Sequence, residues 1–197
     1  MTIARLHYDG GGDWYANPSS LPNLLQAVRR DTDLPVADRE RVVTLTDPGL
    51  WTVPYLYMTG HGNLRFSDEE ARILRRYLEQ GGFLHVDDNY GLDESFRREI
   101  TRVFPERPLV DVPLSHPVYH ILHRFPEGIP KIHEHDGEPA RGLGIFLDER
   151  LVVYYSYQTD LGDGWEDPDV HDDPENLRDA ALRMGVNLFT YAVTAAR

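Results

Sequence analysis

Residues Tyr55 to Gly91 read YLYMTGHGNLRFSDEEARILRRYLEQGGFLHVDDNYG, and this stretch decides the fold. Tyr55–Thr59 is a short apolar run of strand formers, closed by the turn Gly60-His61-Gly62. Ser67 followed by Glu70 is a capping box, and Asp68 and Glu69 suit the positive end of a helix. Ala71, Leu74, Tyr77 and Leu78 recur at helical spacing, and Gly81 stands where a helix-terminating glycine belongs. Phe83–Val86 then reads as a second buried strand. A strand–helix–strand crossover makes the two strands parallel neighbours. Open parallel sheets bind ligands at the carboxyl ends of their strands. That rule puts His61 and the run Asp87-Asp88-Asn89-Tyr90 on one rim, which is the expected ligand site.

Working outward, Ile3–Tyr8 reads as a first strand and Leu21–Arg30 as a first helix with Leu21, Leu24, Leu25 and Val28 inside. Gly10-Gly11-Gly12 between them matches neither dinucleotide-binding nor P-loop spacing, so it reads as a connection. Val42–Leu45 is a candidate second strand, and Glu94–Phe104 an amphipathic helix ended by Pro105. The first half thus alternates strand and helix, as a doubly wound sheet does. In the second half, Ser115 to His123 reads as a short helical turn capped by Ser115. Gly142–Leu147 and Leu151–Tyr157 form an antiparallel hairpin, and Asp169–Glu175 reads as an acidic linker before a closing helix, Leu177–Thr194. The expected architecture is one three-layer α/β domain over residues 1–197, with a mainly parallel central sheet and an added antiparallel hairpin.

With 197 residues, the chain is long enough for one well-buried domain. A net charge of −13, with Lys131 the only lysine, argues against a nucleic-acid partner. No apolar run reaches the length of a membrane span, so direct membrane insertion is not expected. As it stands the sequence reads as cytoplasmic; a trimmed leader would make it periplasmic or membrane-associated. The absence of cysteine removes disulfides, thiolate ligands and cysteine nucleophiles together.

Among the chemistries that remain, Asp87 and Asp88 suit a base, a hydroxylated ligand or a cation, and equally the capping of the next helix. The acidic loop Asp160-Leu161-Gly162-Asp163-Gly164-Trp165-Glu166-Asp167 supplies further candidate ligand contacts in Asp160, Asp163 and Trp165. Trp14, Tyr15, Tyr90 and Trp165 suit stacking against a sugar or another planar face, or the anchoring of loops. His116 with His120, and His133 with His135, are spaced to share a face. No single stretch offers three ligands, so no metal site is assigned. Cofactors and catalytic residues stay unassigned, and a small polar ligand and a protein partner remain open as partner classes. A metal- or carboxylate-dependent hydrolase and a protein-interaction module are the alternatives to a binding domain.

Several blocks together resemble the DUF4159 family of bacterial proteins of unknown function. They are Val43-Thr44-Leu45-Thr46-Asp47-Pro48, Tyr55-Leu56-Tyr57-Met58, Leu78 to Asp88, Leu114 to His120, and Thr159 to Glu166. The resemblance implies a flavodoxin-like sheet of the class I glutamine amidotransferase-like group. Amidotransferases of that group carry a cysteine at the strand-to-helix turn where this chain has Asp87-Asp88, so the resemblance implies no glutaminase activity. It also implies kinship with proteins many of which are exported or membrane-associated.

Overall fold

A computed structural model describes residues 1–194. Seven strands form one sheet: β1 (Ile3–Leu6), β2 (Arg41–Val43), β3 (Tyr55–Gly60), β4 (Phe83–Asp88), β5 (Val110–Asp111), β6 (Arg141–Leu147) and β7 (Arg150–Tyr157). Their spatial order is β2-β1-β3-β4-β7-β6-β5. The first five in that order are mutually parallel, and β6 and β5 add an antiparallel edge. This is the mainly parallel α/β architecture expected from the alternation of strands and helices, with the order of a flavodoxin-like sheet across β2-β1-β3-β4.

The central crossover forms as its signals dictate. Both capping-box bonds of helix α2 (Asp68–Glu79) are made, from Glu70 N–H to Ser67 Oγ and from Ser67 N–H to Glu70 Oε2. Gly81 ends the region with φ of 104°, a left-handed backbone that favours glycine. Strand β4 pairs with β3 from Tyr55↔Phe83 to Gly60↔Asp88, so it continues two residues past the expected Val86.

Period-two alternation divides these strands between two cores. Leu56, Met58, Leu84 and Val86 face the layer of α2 (Asp68–Glu79) and α3 (Asp93–Val103). Tyr55, Tyr57 and Phe83 face α1 (Ser20–Asp31) and the closing helix α5 (Glu175–Thr194). At the carboxyl end of β4 the same alternation sends Asp87 and Asp88 to opposite faces.

Two expectations are corrected. The segment after Ser115 is one tight 3-10 turn, Pro117–Tyr119, capped by His116, whose Nδ1 accepts the Val118 N–H at 3.3 Å. His120 instead turns back to the Ser115 carbonyl, 2.9 Å from its Nε2, so His116 and His120 do not lie along a helix. The acidic stretch read as a linker contains a short helix, α4 (Pro168–His171), which Pro168 opens and a left-handed Asp172 closes. Among the described residues no helix is long and apolar enough to cross a membrane.

Candidate functional site

The register Gly60↔Asp88 sets His61 beside Asn89 just beyond the carboxyl ends of β3 and β4. The loop after β1 reaches the same place. Asp13 accepts the backbone N–H of His61 through Oδ1, and its Oδ2 lies 2.9 Å from His61 Nδ1. Burial pushes the Asp13 carboxyl up, but the His61 backbone and ring hydrogen bonds outweigh it and hold the group below the usual carboxylate range. The His61 side chain remains 57% exposed, and its Nε2 has no hydrogen-bond partner among the described residues. Asp13 carries no sequence signal of its own; only the folding of the first loop onto β3 reveals it.

Asp87 is fully buried on the face of α1 and α5. Its Oδ1 accepts from Ser156 Oγ at 2.6 Å and from Leu161 N–H at 3.2 Å; its Oδ2 accepts from Gly162 N–H at 2.6 Å. Burial pushes its pKa up to about 8, against the pull of these hydrogen bonds. A chain of hydrogen bonds runs inward from it, since Ser156 Oγ is 2.8 Å from His85 Nε2 and His85 Nδ1 is 2.8 Å from Tyr55 Oη. Asp88 points to the other core and accepts the Leu92 N–H at 3.1 Å, closing the turn into α3. Asn89 Oδ1 accepts from Thr59 Oγ1, and its buried Nδ2 has no partner. The oxygens of Asp87 thus hold the β7 loop from inside the protein. Asp88 is likewise buried and occupied by the α3 turn.

Tyr90 does reach the surface. It takes a left-handed backbone, stacks on His135 at 4.5 Å between ring centroids and donates its hydroxyl to Asp136 at 2.8 Å. Trp165 does not, contrary to expectation. It is fully buried against Tyr57 and His85, with its indole N–H on the Ala181 carbonyl at 2.8 Å. Trp14 stacks on His7 at 4.1 Å, and Tyr15 beside it is open to solvent.

Asp160 and Asp163 stand on the loop after β7, beside residues from two other segments. His133 Nδ1 lies 3.2 Å from Asp160 Oδ2 and 3.2 Å from Asp163 Oδ2, while its Nε2 is 3.0 Å from Asp173 Oδ1. His135 Nε2 also meets Asp160 Oδ2, and Asn17 donates to Asp163 Oδ1 at 2.5 Å. His171 Nε2 lies 3.1 Å from Glu166 Oε2 and 3.9 Å from Asp163 Oδ2. His133, Asp163 and His171 thus bring one ligand atom each within 4.8 Å of one another, a set able to hold a metal ion. Sequence reasoning paired His133 with His135 and passed over His171, because the two metal-competent histidines lie in separate segments with no recognisable spacing. The tract His171-Asp172-Asp173 was the one available signal.

A family model described as a domain of unknown function, DUF4159, matches residues 2–193. The chain belongs to the DUF4159 family. No curated protein matches it. The family match runs across β1 to α5, so the rim loops and the histidine–carboxylate cluster both lie inside the DUF4159 domain.

Proposed function

We propose that this DUF4159 domain binds a small hydroxylated ligand, sugar-like in character, at the carboxyl ends of β1, β3 and β4. The Asp13–His61 pair carries the reading. With Asp13 taking the proton of Nδ1, a neutral His61 presents its lone pair at Nε2, on a ring that is mostly in solvent. A ligand hydroxyl is the natural donor to that nitrogen. Tyr15 and Tyr90 lie on the loops of the strands on either side, β1 and β4, and are 64% and 48% exposed. Exposed aromatic rings beside a polar anchor suit the apolar face of a sugar.

Asp87 and Asp88 serve this reading indirectly, by fixing the loops around the rim. The reading also takes residues 1–197 as one domain related to the glutamine amidotransferase-like group, with binding in place of cysteine chemistry. The lack of any cysteine supports that choice.

Saturation-transfer NMR on the untagged chain, with a panel of monosaccharides and sugar acids, tests the proposal. Transfer to at least one compound is expected, and His61→Ala should remove it without lowering the melting temperature. If no compound receives transfer, or if transfer survives in both His61→Ala and Tyr90→Ala, the rim is not a hydroxylated-ligand site.

A further inference from the structure

We propose that His133, Asp163 and His171 bind a divalent first-row transition-metal ion beneath the loop that follows β7. The spacing supports this. Ligand atoms about 2.0–2.2 Å from one ion stand roughly 3–3.6 Å apart. His133 Nδ1 and Asp163 Oδ2, 3.2 Å apart, fall inside that range, and His171 Nε2, 3.9 Å from the same oxygen, stands just beyond it.

The surroundings of His133 point the same way. Its Nε2 meets Asp173 Oδ1 at 3.0 Å, so in the neutral ring the Nε2 proton goes to that carboxylate and Nδ1 is left bare. A metal-ligating histidine commonly donates its second nitrogen to a carboxylate, which fixes the tautomer and raises ligand basicity. Bare Nδ1 then faces two carboxylate oxygens, one from Asp160 and one from Asp163, each 3.2 Å away. A divalent cation between these lone pairs would satisfy all three, in the place that the Nδ1 proton of an imidazolium would otherwise take.

A second, independent observation comes from orphaned oxygens. Asp160 Oδ1 and Asp173 Oδ2 are buried and have no hydrogen-bond partner. Their side chains are 2% and 8% exposed, and the other oxygen of each already touches His133. Four carboxylates, Asp160, Asp163, Glu166 and Asp173, crowd three imidazoles here. A neutral set of imidazoles leaves the cluster strongly negative.

The donor set selects the ion class. Two imidazoles with a carboxylate suit Zn²⁺, Mn²⁺, Fe²⁺, Co²⁺ or Ni²⁺ better than Ca²⁺ or Mg²⁺, which prefer all-oxygen shells. Local structure explains how the ligands meet. Asp172 takes a left-handed backbone immediately after α4, so the chain reverses and both His171 and Asp173 reach His133. The inference does not rest on the sugar-like ligand at His61, which lies on a different loop.

The test is equilibrium dialysis of the EDTA-stripped, untagged chain against Zn²⁺, Co²⁺ and Mg²⁺, with metal analysis and a melting curve for each. One equivalent of Zn²⁺ per chain is expected, with a raised melting temperature, while Mg²⁺ is not retained. Co²⁺ should show the visible absorption of an imidazole-bound ion. Asp173→Asn, acting through His133, should weaken Zn²⁺ by about 10–100-fold. His171→Ala, on a short and partly exposed helix, should weaken it at least as much while circular dichroism reports an intact fold. His61→Ala should bind Zn²⁺ like the unaltered chain, which separates failure here from failure at the rim. Absent stoichiometric Zn²⁺, or with Zn²⁺ binding unchanged in both His171→Ala and Asp163→Asn, the cluster is a set of histidine–carboxylate ion pairs.

Discussion

Asp87 holds Gly162 across 75 positions of sequence, its Oδ2 accepting the glycine N–H at 2.6 Å. The same carboxylate takes the neighbouring Leu161 N–H on its other oxygen. One side chain at the end of β4 therefore sets the path of the loop that carries Asp160 and Asp163. A carboxyl group at the carboxyl end of a central strand thus fastens a loop.

Above pH 8, where the carboxyl is ionised and both oxygens accept, Asp87→Asn should destabilise the protein by about 1–3 kcal/mol, because an amide NH₂ at either position meets a backbone N–H with no acceptor left for it. Asp88→Asn should cost less, since the remaining amide oxygen still accepts the Leu92 N–H. Urea denaturation of both variants measures the order. Equal losses would mean that the β7 loop does not depend on the second Asp87 oxygen.

Gly162→Ala should also be destabilising, by about 1–3 kcal/mol from overpacking. A methyl group there falls 2.7 Å from Asp87 Oδ2 and closer still to the Tyr57 hydroxyl. Gly137→Ala places its methyl in open space and bears only the left-handed backbone strain of φ 72°, about 1–2 kcal/mol. The two differ in kind: metal retention at His133 should suffer in Gly162→Ala, whose loop must shift, while Gly137→Ala keeps it.

The His85 contribution to stability should fall as the pH drops below neutrality, against the opposite contribution of Asp87, whose carboxyl, raised to about 8, favours the fold as it takes up its proton. Burial pushes its pKa from 6.5 down to about 3. It is enclosed by Tyr55, Tyr57, Tyr154, Trp165 and Ser156. The unfolded chain takes up a proton below pH 6.5 and the folded chain does not. The stabilisation is therefore complete above 6.5 and is lost as pH falls toward 3, by about 2 kcal/mol between pH 7 and 5. His85→Phe should show a smaller drop over that interval in urea denaturation, although it leaves the Tyr55 hydroxyl without its partner and lowers stability at pH 7. A drop of unaltered size would remove His85 from the acid sensitivity.

Trp165→Ala should cost about 3–5 kcal/mol, as large-to-small changes in cores do. The indole ring fills the space against Gly185 of α5, where an added methyl would stand 2.8 Å from the ring. Trp165→Phe, which keeps most of the packing and loses the hydrogen bond to Ala181, should fall well short of that loss. Thermal denaturation compares them.

The sequence by itself determined the sheet and its central crossover. Period-two apolar runs, a capping box and a terminating glycine are local signals, and each acts within a few residues of where it is read. The rim followed from topology alone, because parallel neighbours must end on the same edge. Which rim residues meet solvent was a tertiary decision. Asp87 and Asp88 are adjacent and chemically alike, yet alternation sends one to the β7 loop and the other to the turn before α3. Trp165, an aromatic in an acidic loop that suited either ligand stacking or loop anchoring, is drawn into the core between β3 and α5 because that loop folds back over Asp87. Asp13 meets His61 from 48 residues away, and His133 meets Asp163 and His171 from different segments. No sequence period encodes such pairs; they exist only where loops from separate strands close over the same end of the sheet.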